Sequence, residues 1–455
     1  MSAMNERALQ LILDARRTRK KGRVALAQRQ RARLAQMVSF ARSQSRYYRA
    51  LYDGLPERVE DAKLLPITSK KQLMSRFDEW CTDRSVTLEK VQAFVEDPRQ
   101  IGQQFLSKYT VLTTSGTTGR RGIFVLDERS MAVTSAMALR MLSAWLSVGD
   151  VLRILAGRGR LAMVMATGGH FASAVAGERL RKKRASGVEI LSVHSPLPEL
   201  VARLNEFQPV LLAPYASVAA LLASEQEAGR LHIKPVLISV TAEGLPTSEI
   251  KRIARAFNAK VGNSYAATEC PFFSYSCEHE WLHVNGDWVV FEPVDANHRP
   301  VPPGQTSHTV LVSNLANRVQ PILRYDLGDS ILARPDPCPC GDPLPAIRVQ
   351  GRASDVVTFP TQSGDKVRIA PLAFGLFGDR PGIELFQIVQ TSPTNLRVRL
   401  RISAGANPES VWQSVQADIE RLLAERKLGL VTVERAQEPP EQSPGGKYRQ
   451  VVPLR

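Results

Sequence analysis

The sequence has 455 residues, 44% of them hydrophobic, and a formal net charge of +16. A chain of this length exceeds the size at which a single hydrophobic core keeps growing, so we expect two or three domains. No stretch holds the roughly 18 uncharged apolar residues of a membrane span. The first residues also lack the apolar region of a secretory signal. We therefore expect a cytoplasmic protein with no membrane partner.

The excess positive charge is concentrated near the N-terminus. Residues 1–33 contain ten Lys and Arg but only two acidic residues, which accounts for half of the net charge. The cations alternate with Leu, Val and Ala at helical spacing, and no aromatic residue lies among them to stack on bases. We interpret the segment as a solvated amphipathic helix, so nucleic acid is a disfavoured partner. The basic run Arg181–Arg184 receives the same interpretation.

The first part of the chain, up to about Arg76, has a helical and polar pattern. Pro66 is expected to end one helix and Thr68 to cap the next. From about Tyr109 to Arg334, short apolar segments alternate with helix-like ones. The apolar segments predicted as strands include Val151–Leu155, Pro209–Ala213 and Val236–Val240, and Ser248–Phe257 is a predicted helix. Such alternation is typical of a largely parallel sheet covered by helices on both faces.

After Gly351 the pattern changes to that of a small α+β domain of about 100 residues. Its predicted elements are strands at Leu385–Val389, Leu396–Ile402 and Leu430–Glu434 and a helix at Glu409–Arg426. The whole chain is thus predicted to have an α/β fold. We expect a large N-terminal domain at residues 1–352, with a helical segment at 1–105, and a small domain at residues 353–455.

The sharpest local signal is the run Thr113–Gly122, which reads TTSGTTGRRG. Its glycines let the backbone approach an anion closely, while hydroxyls and backbone N–H groups supply donors for phosphate oxygens. It lacks the Gly-Lys-Ser/Thr ending of the Walker loop, so a P-loop of the GTPase or kinase kind is not supported. Taken alone, the run fits an ordinary Ser/Thr/Gly surface loop equally well.

Seven segments, in chain order, carry a family resemblance. They are Ser45–Tyr48 with Leu65–Lys70, Ser115–Gly119, Ala242–Pro246, Tyr265–Glu269, Arg324–Asp329, Gly351–Asp355 and Pro444–Lys447. Together they resemble the motifs of the adenylate-forming superfamily, which includes acyl- and aryl-CoA ligases, luciferases and peptide-synthetase adenylation domains. The phenylacetate–CoA ligase branch is the most similar.

The resemblance implies ATP-dependent adenylation of a carboxylic acid, with pyrophosphate release, followed by transfer of the acyl group to CoA. An aromatic or arylacetic acid is the first expectation. Two anions must meet in this reaction, so the site has to neutralise charge at the α-phosphate and the departing pyrophosphate. By resemblance, Glu269 would hold Mg²⁺, which prefers carboxylate and phosphate oxygens. Thr268 would touch the α-phosphate, and Lys447 would bring its charge to the reacting groups.

Further residues are placed around ATP or AMP by the same resemblance. They are Thr114, Ser115, Gly116, Thr117, Thr118, Gly119, Glu243, Gly244, Asn263, Tyr265, Ala266, Asp329 and Arg352. Tyr265 would stack on adenine, and Asp329 would accept hydrogen bonds from the ribose. Taken alone, Asp329 is more often a turn or cap residue, and Lys447 a solvated lysine.

Two smaller groups complete the predicted site. Members of the superfamily swing the C-terminal domain between two half-reactions, so the resemblance implies that residues 353–455 are mobile. Ser354 and Asp355, which are small or polar, would absorb this rotation as a hinge. His170 and Ala242 would line the acid pocket, although a lone histidine is more often structural. Phe272 and Phe273, just past Glu269, are expected in the core instead.

The five cysteines are an odd number in a long chain, which argues against a disulfide framework. From the residues alone, metal ligands and incidental thiols are equally good explanations. The family resemblance favours a Cys₃His zinc site. Its ligands would be Cys277, His283, Cys338 and Cys340. A closed four-coordinate set of this kind is structural.

Two departures from the family motifs leave the substrate open: Arg120–Gly122 after the loop and Ala266 in place of glycine. A third, Ser354 in place of aspartate, lies in the hinge, where we still expect rotation. One alternative is adenylation with another substrate or acceptor, such as nitrite for diazo formation, a carrier protein, an amine or a deazaflavin cofactor. Another is a catalytically silent nucleotide-binding relative. A homodimer is compatible with the sequence.

Overall fold

The structure is a computed structural model. It describes residues 3–114, 122–241, 245, 247–352, 355–361, 366–369, 374, 382–403, 405–442 and 448–454. The helices of this part of the chain are α1 (Ala3–Lys20), α2 (Gly22–Gln44), α3 (Arg46–Leu51), α4 (Lys70–Ser75), α5 (Phe77–Trp80), α6 (Leu88–Glu96), α7 (Glu128–Trp145), α8 (Val148–Ala156), α9 (Ala172–Lys183), α10 (Leu197–Phe207), α11 (Ala216–Glu227), α12 (Thr247–Phe257) and α13 (Pro408–Glu425).

Twenty strands accompany them in the described residues. They are β1 (Thr110–Thr113), β2 (Ile123–Leu126), β3 (Leu161–Met165), β4 (Val188–Ser192), β5 (Leu211–Pro214), β6 (Leu237–Val240), β7 (Lys260–Ala267), β8 (Cys270–Ser276), β9 (Leu282–Val284), β10 (Val289–Val294), β11 (Thr309–Asn314), β12 (Ile322–Asp326), β13 (Asp329–Ala333), β14 (Ala346–Arg352), β15 (Val357–Pro360), β16 (Lys366–Ile369), β17 (Ile383–Ser392), β18 (Asn395–Ile402), β19 (Thr432–Arg435) and β20 (Val451–Val452).

The central sheet has nine strands in the order β13-β14-β9-β8-β7-β6-β5-β3-β4. The five strands from β4 to β7 are parallel neighbours, and α9 to α12 form the connections between them. The strands from β8 to β13 pair antiparallel. The predicted α/β fold is confirmed, with the correction that only about half of this sheet is parallel.

One predicted strand is wrong. Val151–Leu155 lies inside α8 rather than in the sheet. The helix begins because Ser147 and Asp150 form a capping box, in which each side chain bonds the other's backbone N–H. The strand that enters the sheet is β3, which follows a few residues later. A short aliphatic run has no period that distinguishes a strand from a helix.

The predicted cap of α4 is also corrected. Ser69, not Thr68, is the N-cap, and its side chain accepts a hydrogen bond from the backbone N–H of Gln72. Thr68 is fully buried, and its hydroxyl donates to the carbonyl of Leu323 at 3.0 Å. Its backbone forms a bridge with Tyr325. The residue before the cap therefore ties the N-terminal layer to β12.

The basic N-terminal segment is less solvated than its sequence suggests. It forms α1 and α2, and α1 packs against α7. Arg33 is only 8% exposed and donates to the Asp14 carboxylate at 2.7 Å and to the backbone carbonyl of Asp287 at 2.6 Å. Arg19 pairs with the buried Asp342 at 2.8 Å. The interpretation as a freely solvated helix is therefore wrong for these two arginines.

The C-terminal part forms a separate layer with its own core. Its sheet has the order β19-β18-β17-β20, and α13 buries Trp412, Val415 and Ile419 in the same hydrophobic cluster as Leu396 and Val398. The elements lie close to the predicted ranges.

No single described helix is long and apolar enough to cross a bilayer. The helices α7 and α8 pass that test of length and composition only as a pair, bent by 108°.

Candidate functional site

The predicted phosphate loop rests on a β-hairpin stem. Strands β1 and β2 pair antiparallel, and Thr114 and Gly122 close the end of the stem. The Thr114 N–H donates to the Gly122 carbonyl at 3.0 Å, and the Gly122 N–H donates to the Thr114 hydroxyl at 2.9 Å. A Cβ at Gly122 would lie 2.8 Å from Cε of Lys70 and 2.9 Å from the Phe124 ring. A side chain at this position would therefore displace Lys70 or the Phe124 ring from the stem.

Lys70 lies at the mouth of this loop. Its Nζ donates to the Thr114 hydroxyl at 3.2 Å. Burial lowers the pKa of Lys70, while the charge of the Glu269 carboxylate acts in the opposite direction. The sequence pattern placed this lysine in Leu65–Lys70, one of the segments that carry the family resemblance, but gave it no role. The signal that could have identified it is its position at the end of Leu65–Lys70.

Glu269 lies in the turn between β7 and β8 and is 8% exposed. The Tyr325 hydroxyl donates to its Oε1 at 2.9 Å, and the Asn314 amide donates to its backbone carbonyl at 3.1 Å. Burial raises the pKa of Glu269, and the nearby Lys70 charge partly opposes this. Thr268 is half-buried beside it.

Asp329 joins two other predicted residues. The Tyr265 hydroxyl donates to its Oδ2 at 2.5 Å, and Nε of Arg352 lies 3.4 Å from its Oδ1. Asp329 and Arg352 are direct partners in the β13–β14 ladder, which explains their proximity. The Tyr265 ring packs against Phe273 and Phe291, with centroids 5.4 and 6.4 Å away. Burial and the Asp329 charge raise the pKa of Tyr265.

The other described site residues differ in exposure and in their partners. Asn263, on β7, donates its backbone N–H to the Ser276 hydroxyl at 2.9 Å. Ala266, on the same strand, is exposed. Asp355 forms an ion pair with Arg449. Phe272 and Phe273 are buried in the core, as expected.

His170 is not on an open pocket wall. Its side chain is 2% exposed and packs against Phe94, with ring centroids 5.3 Å apart. Its backbone carbonyl accepts a hydrogen bond from Thr113 at 2.7 Å. His170 therefore supports the end of the stem next to the loop, where β1 ends at Thr113, through its main chain. The predicted site residues outside the described part of the chain are Ser115, Gly116, Thr117, Thr118, Gly119, Ala242, Glu243, Gly244, Ser354 and Lys447.

The predicted metal ligands do come together. One ligand atom from each of Cys277, His283, Cys338 and Cys340 lies within 4.8 Å of all the others. Sγ of Cys277 is 3.7 Å from Sγ of Cys338, and Sγ of Cys340 is 3.2 Å from Nε2 of His283. Nδ1 of His283 lies 3.2 Å from the Leu344 carbonyl, which leaves Nε2 directed at the thiols. Three thiols and an imidazole form a donor set that suits Zn²⁺.

The sequence has limited similarity to known proteins. No protein-family model matches the chain. Protein CapK of Staphylococcus aureus is 30% identical over 134 residues, and this match covers 29% of the chain and 28% of CapK.

Solved structures show the fold more completely. A 2-hydroxyisobutyryl-CoA ligase in its postadenylation state, in complex with 2-HIB-AMP, matches with a TM-score of 0.65 and 21% identity, over 95% of this chain and 90% of that one. The same ligase with 2-HIB-AMP and CoA, in the thioesterification state, matches with a TM-score of 0.54 over 95% and 89%. An anthranilate CoA ligase in complex with anthranoyl-AMP has a TM-score of 0.53 and 13% identity, over 74% and 64%. The chain therefore has the fold of these ligases.

Proposed function

We propose that this protein is an AMP-forming ligase that adenylates a carboxylic acid and then transfers the acyl group to CoA. The observation that carries the proposal is that Lys70, which donates to the Thr114 hydroxyl at the hairpin stem, lies close enough to Glu269 for their charges to interact, and that Glu269 in turn interacts with the charge of Asp329. These three residues come from distant parts of the sequence. Their meeting in a ligase fold is what the reaction needs.

The chemistry assigns each group a separate task. The acid and the α-phosphate are both anions, so their reaction requires positive charge at the phosphorus and along the leaving pyrophosphate. Glu269 would hold Mg²⁺, which would neutralise phosphate oxygens when bound. Lys70, beside the Thr114 hydroxyl, is placed to add a second positive charge at the loop. Lys447 would add a third at the reacting carboxylate.

Asp329 and Tyr265 would bind the nucleoside. The carboxylate has two oxygens and can accept hydrogen bonds from two ribose hydroxyls. In the structure, Tyr265 donates to one of these oxygens at 2.5 Å and Arg352 lies beside the other. Both contacts fix the carboxylate before ATP arrives. Preorganised groups of this kind avoid reorganisation during the reaction.

The acid substrate is a finer proposal. An aromatic or arylacetic acid is the first choice, because the sequence motifs most resemble the phenylacetate–CoA ligase branch. The matched structures carry 2-HIB-AMP in one case and anthranoyl-AMP in the other. Small hydroxy acids therefore belong in the same test.

Pyrophosphate release with ATP and Mg²⁺ tests the proposal. The panel contains phenylacetate, benzoate, anthranilate, 2-hydroxyisobutyrate, an amine and nitrite, each with and without CoA. We expect turnover that depends on one acid and on CoA, abolished in Glu269→Gln and strongly reduced in Lys70→Ala. Lys71→Ala is the matched control, since Lys71 is the exposed neighbour on the same helix. Turnover without CoA would favour another acceptor, and no release under any condition would favour a silent nucleotide-binding protein.

The Cys277, His283, Cys338 and Cys340 cluster is proposed to hold a structural Zn²⁺. The cluster joins β8 and β9 to the segment between β13 and β14, far along the chain, so a metal there would crosslink the antiparallel part of the sheet. We expect one zinc per chain in the purified protein and loss of folding in Cys338→Ser. Metal-free protein, together with a normally folded variant, would contradict the proposal.

The C-terminal residues 353–455 are proposed to move as a lid about Ser354 and Asp355. Their separate hydrophobic core supports this division. A substitution that stiffens the backbone at the hinge should keep the C-terminal domain from rotating between the arrangements used in the two half-reactions. Asp355→Pro is therefore expected to retain acyl-AMP formation and to slow CoA transfer. Equal effects on both steps would count against a hinge at this position.

A further inference from the structure

Helix α8 displays an apolar stripe outward. Val148, Val151, Leu152 and Leu155 occupy positions i, i+3, i+4 and i+7, which share one helix face. Their exposures are 80%, 43%, 61% and 67%. A surface helix normally turns such a stripe toward the core. The apolar face of α8 is therefore available to a partner.

The opposite side of the helix is anchored. Asp150 is 7% exposed, accepts hydrogen bonds from Ser147, and forms an ion pair with Nζ of Lys260 at 2.6 Å. The same lysine donates to the Trp145 carbonyl at 3.0 Å. These contacts tie α8 to β7 and to the end of α7. The outward orientation of the stripe is thus fixed by polar contacts on the other face.

Positive charges lie near the C-terminal end of the stripe. They do not include Arg153, which pairs with Asp150 at 3.8 Å on the anchored side of α8. The Arg184 guanidinium donates at 3.2 Å to the carbonyls of Arg158 and Gly159, just after the helix. This contact brings the exposed basic run Arg181–Arg184 beside the end of α8. Asp150 is the sole acidic residue in the segment 148–160.

We propose that α8 binds the surface of a membrane that contains anionic phospholipids. The stripe would enter the interface between headgroups and acyl chains, and the cations would contact lipid phosphates and carboxylates. A short helix with an aliphatic face and basic flanks is the pattern of interfacial membrane binding. Each Lys or Arg near an anionic leaflet strengthens such binding. In this arrangement α8 lies on the membrane surface and does not cross the bilayer.

A second copy of the chain fits the patch less well. In a symmetric dimer the same patch faces itself, so the arginines of one copy would meet those of the other. The helix has nine residues and is about 14 Å long, so it buries far less than the roughly 800 Å² per partner of a stable interface. The stripe is also purely aliphatic, whereas Trp, Tyr and Arg dominate the binding energy of protein interfaces. A bilayer demands neither aromatic anchors nor a matching shape.

Cosedimentation of the full-length protein with vesicles tests the proposal. We expect binding to vesicles of phosphatidylcholine with phosphatidylserine, and little to vesicles of phosphatidylcholine alone. Leu152→Glu should lower the partition constant by about tenfold or more, because a leucine side chain no longer leaves water. The matched control is Leu430→Glu, at a leucine that is 49% exposed in the C-terminal part, and it should bind as wild type does.

A second arm tests the charges. Lys182→Glu combined with Lys183→Glu should weaken binding and reduce its dependence on salt. Circular dichroism and pyrophosphate release report whether each variant is folded, and Leu152→Ser replaces Leu152→Glu if the latter is not. Equal binding of wild type and the Leu152 variants would overturn the proposal. So would the absence of vesicle binding together with a wild-type dimer that Leu152→Glu dissociates, since a second copy would then cover the stripe.

Discussion

Replacement of Asp287 by alanine should destabilise the protein more than any comparable change at the surface. The Asp287 side chain is fully buried and accepts hydrogen bonds from both terminal nitrogens of Arg140, each at 2.8 Å. Arg33 approaches the same carboxylate at 3.5 Å, and its guanidinium stacks on Trp288, 3.4 Å from the ring centroid. Arg140 therefore depends on this carboxylate for its ion pair, while Arg33 shares it with the Asp14 carboxylate.

The expected loss of unfolding free energy follows from the buried positive charge that the substitution leaves without a partner. Burial alone would raise the pKa of Asp287, but the hydrogen bonds and charge of Arg140 keep it below its ordinary value. The carboxylate is thus ionised and paired. Removing one partner of a buried pair costs about 3–5 kcal/mol, because the other charge is left uncompensated. That cost is a large fraction of a typical unfolding free energy of about 5–15 kcal/mol.

Urea unfolding measures the effect. Because the chain has several cores, the relevant quantity is the midpoint of the transition that includes the N-terminal layer. Asp14→Ala is the matched control. Asp14 also pairs with Arg33 but is 27% exposed, so its loss should cost about 1 kcal/mol or less. Equal midpoints for the two variants would refute the reasoning. Replacing Arg140 and Asp287 together by apolar residues should recover much of the loss.

Three further predictions concern the site. Burial raises the pKa of Glu269, and the Lys70 charge opposes that rise. In the metal-free enzyme, which kcat/KM for MgATP reports, activity should therefore decrease as the pH is lowered, with a midpoint above the ordinary glutamate pKa of 4.5. Lys70→Ala should move this midpoint to higher pH while Lys71→Ala does not, and an unmoved midpoint would contradict the assigned contact. Arg19→Ala, which breaks the ion pair between α1 and the loop with two proposed zinc ligands, should speed zinc loss to a chelator several-fold, as followed with a zinc-sensitive dye. Lys447→Ala should abolish adenylation but leave ATP binding nearly intact, and unchanged turnover would exclude the proposed role.

Sequence patterns predicted the C-terminal elements closely because their signals are unambiguous there. Strand β18 alternates apolar and charged residues, and α13 has an Asn cap followed by proline in its first turn. The error at Val151–Leu155 has the opposite cause. Five consecutive residues dominated by aliphatic side chains fit a strand or a helix, and the decisive signal was polar: the Ser147 and Asp150 capping box.

The contacts of the site could not be predicted from spacing. Asp329 and Arg352 meet because β13 and β14 pair in one register, and Tyr265 reaches them from β7 on the same sheet. Motif resemblance grouped these residues without giving their geometry. It gave no role to Lys70, although the position of this lysine at the end of Leu65–Lys70 separates it from Lys71. That position does not show what the side chain contacts, and the structure adds its hydrogen bond to the Thr114 hydroxyl at the loop stem.

The buried arginines also connect the N-terminal layer to the proposed catalytic strand. Arg140 donates to the Asn285 side chain at 2.8 Å, and the Asn285 amide donates to the Phe272 carbonyl at 2.7 Å. Phe272 lies on β8, just after Glu269. Arg140 lies on α7, so this contact holds the strand from that helix, and Arg33 of α2 is linked to it only through the Asp287 carboxylate that both arginines approach. Loss of Asp287 should therefore reduce stability and catalysis together, whereas loss of Lys70 should reduce catalysis alone, so the two variants separate support of the site from participation in it.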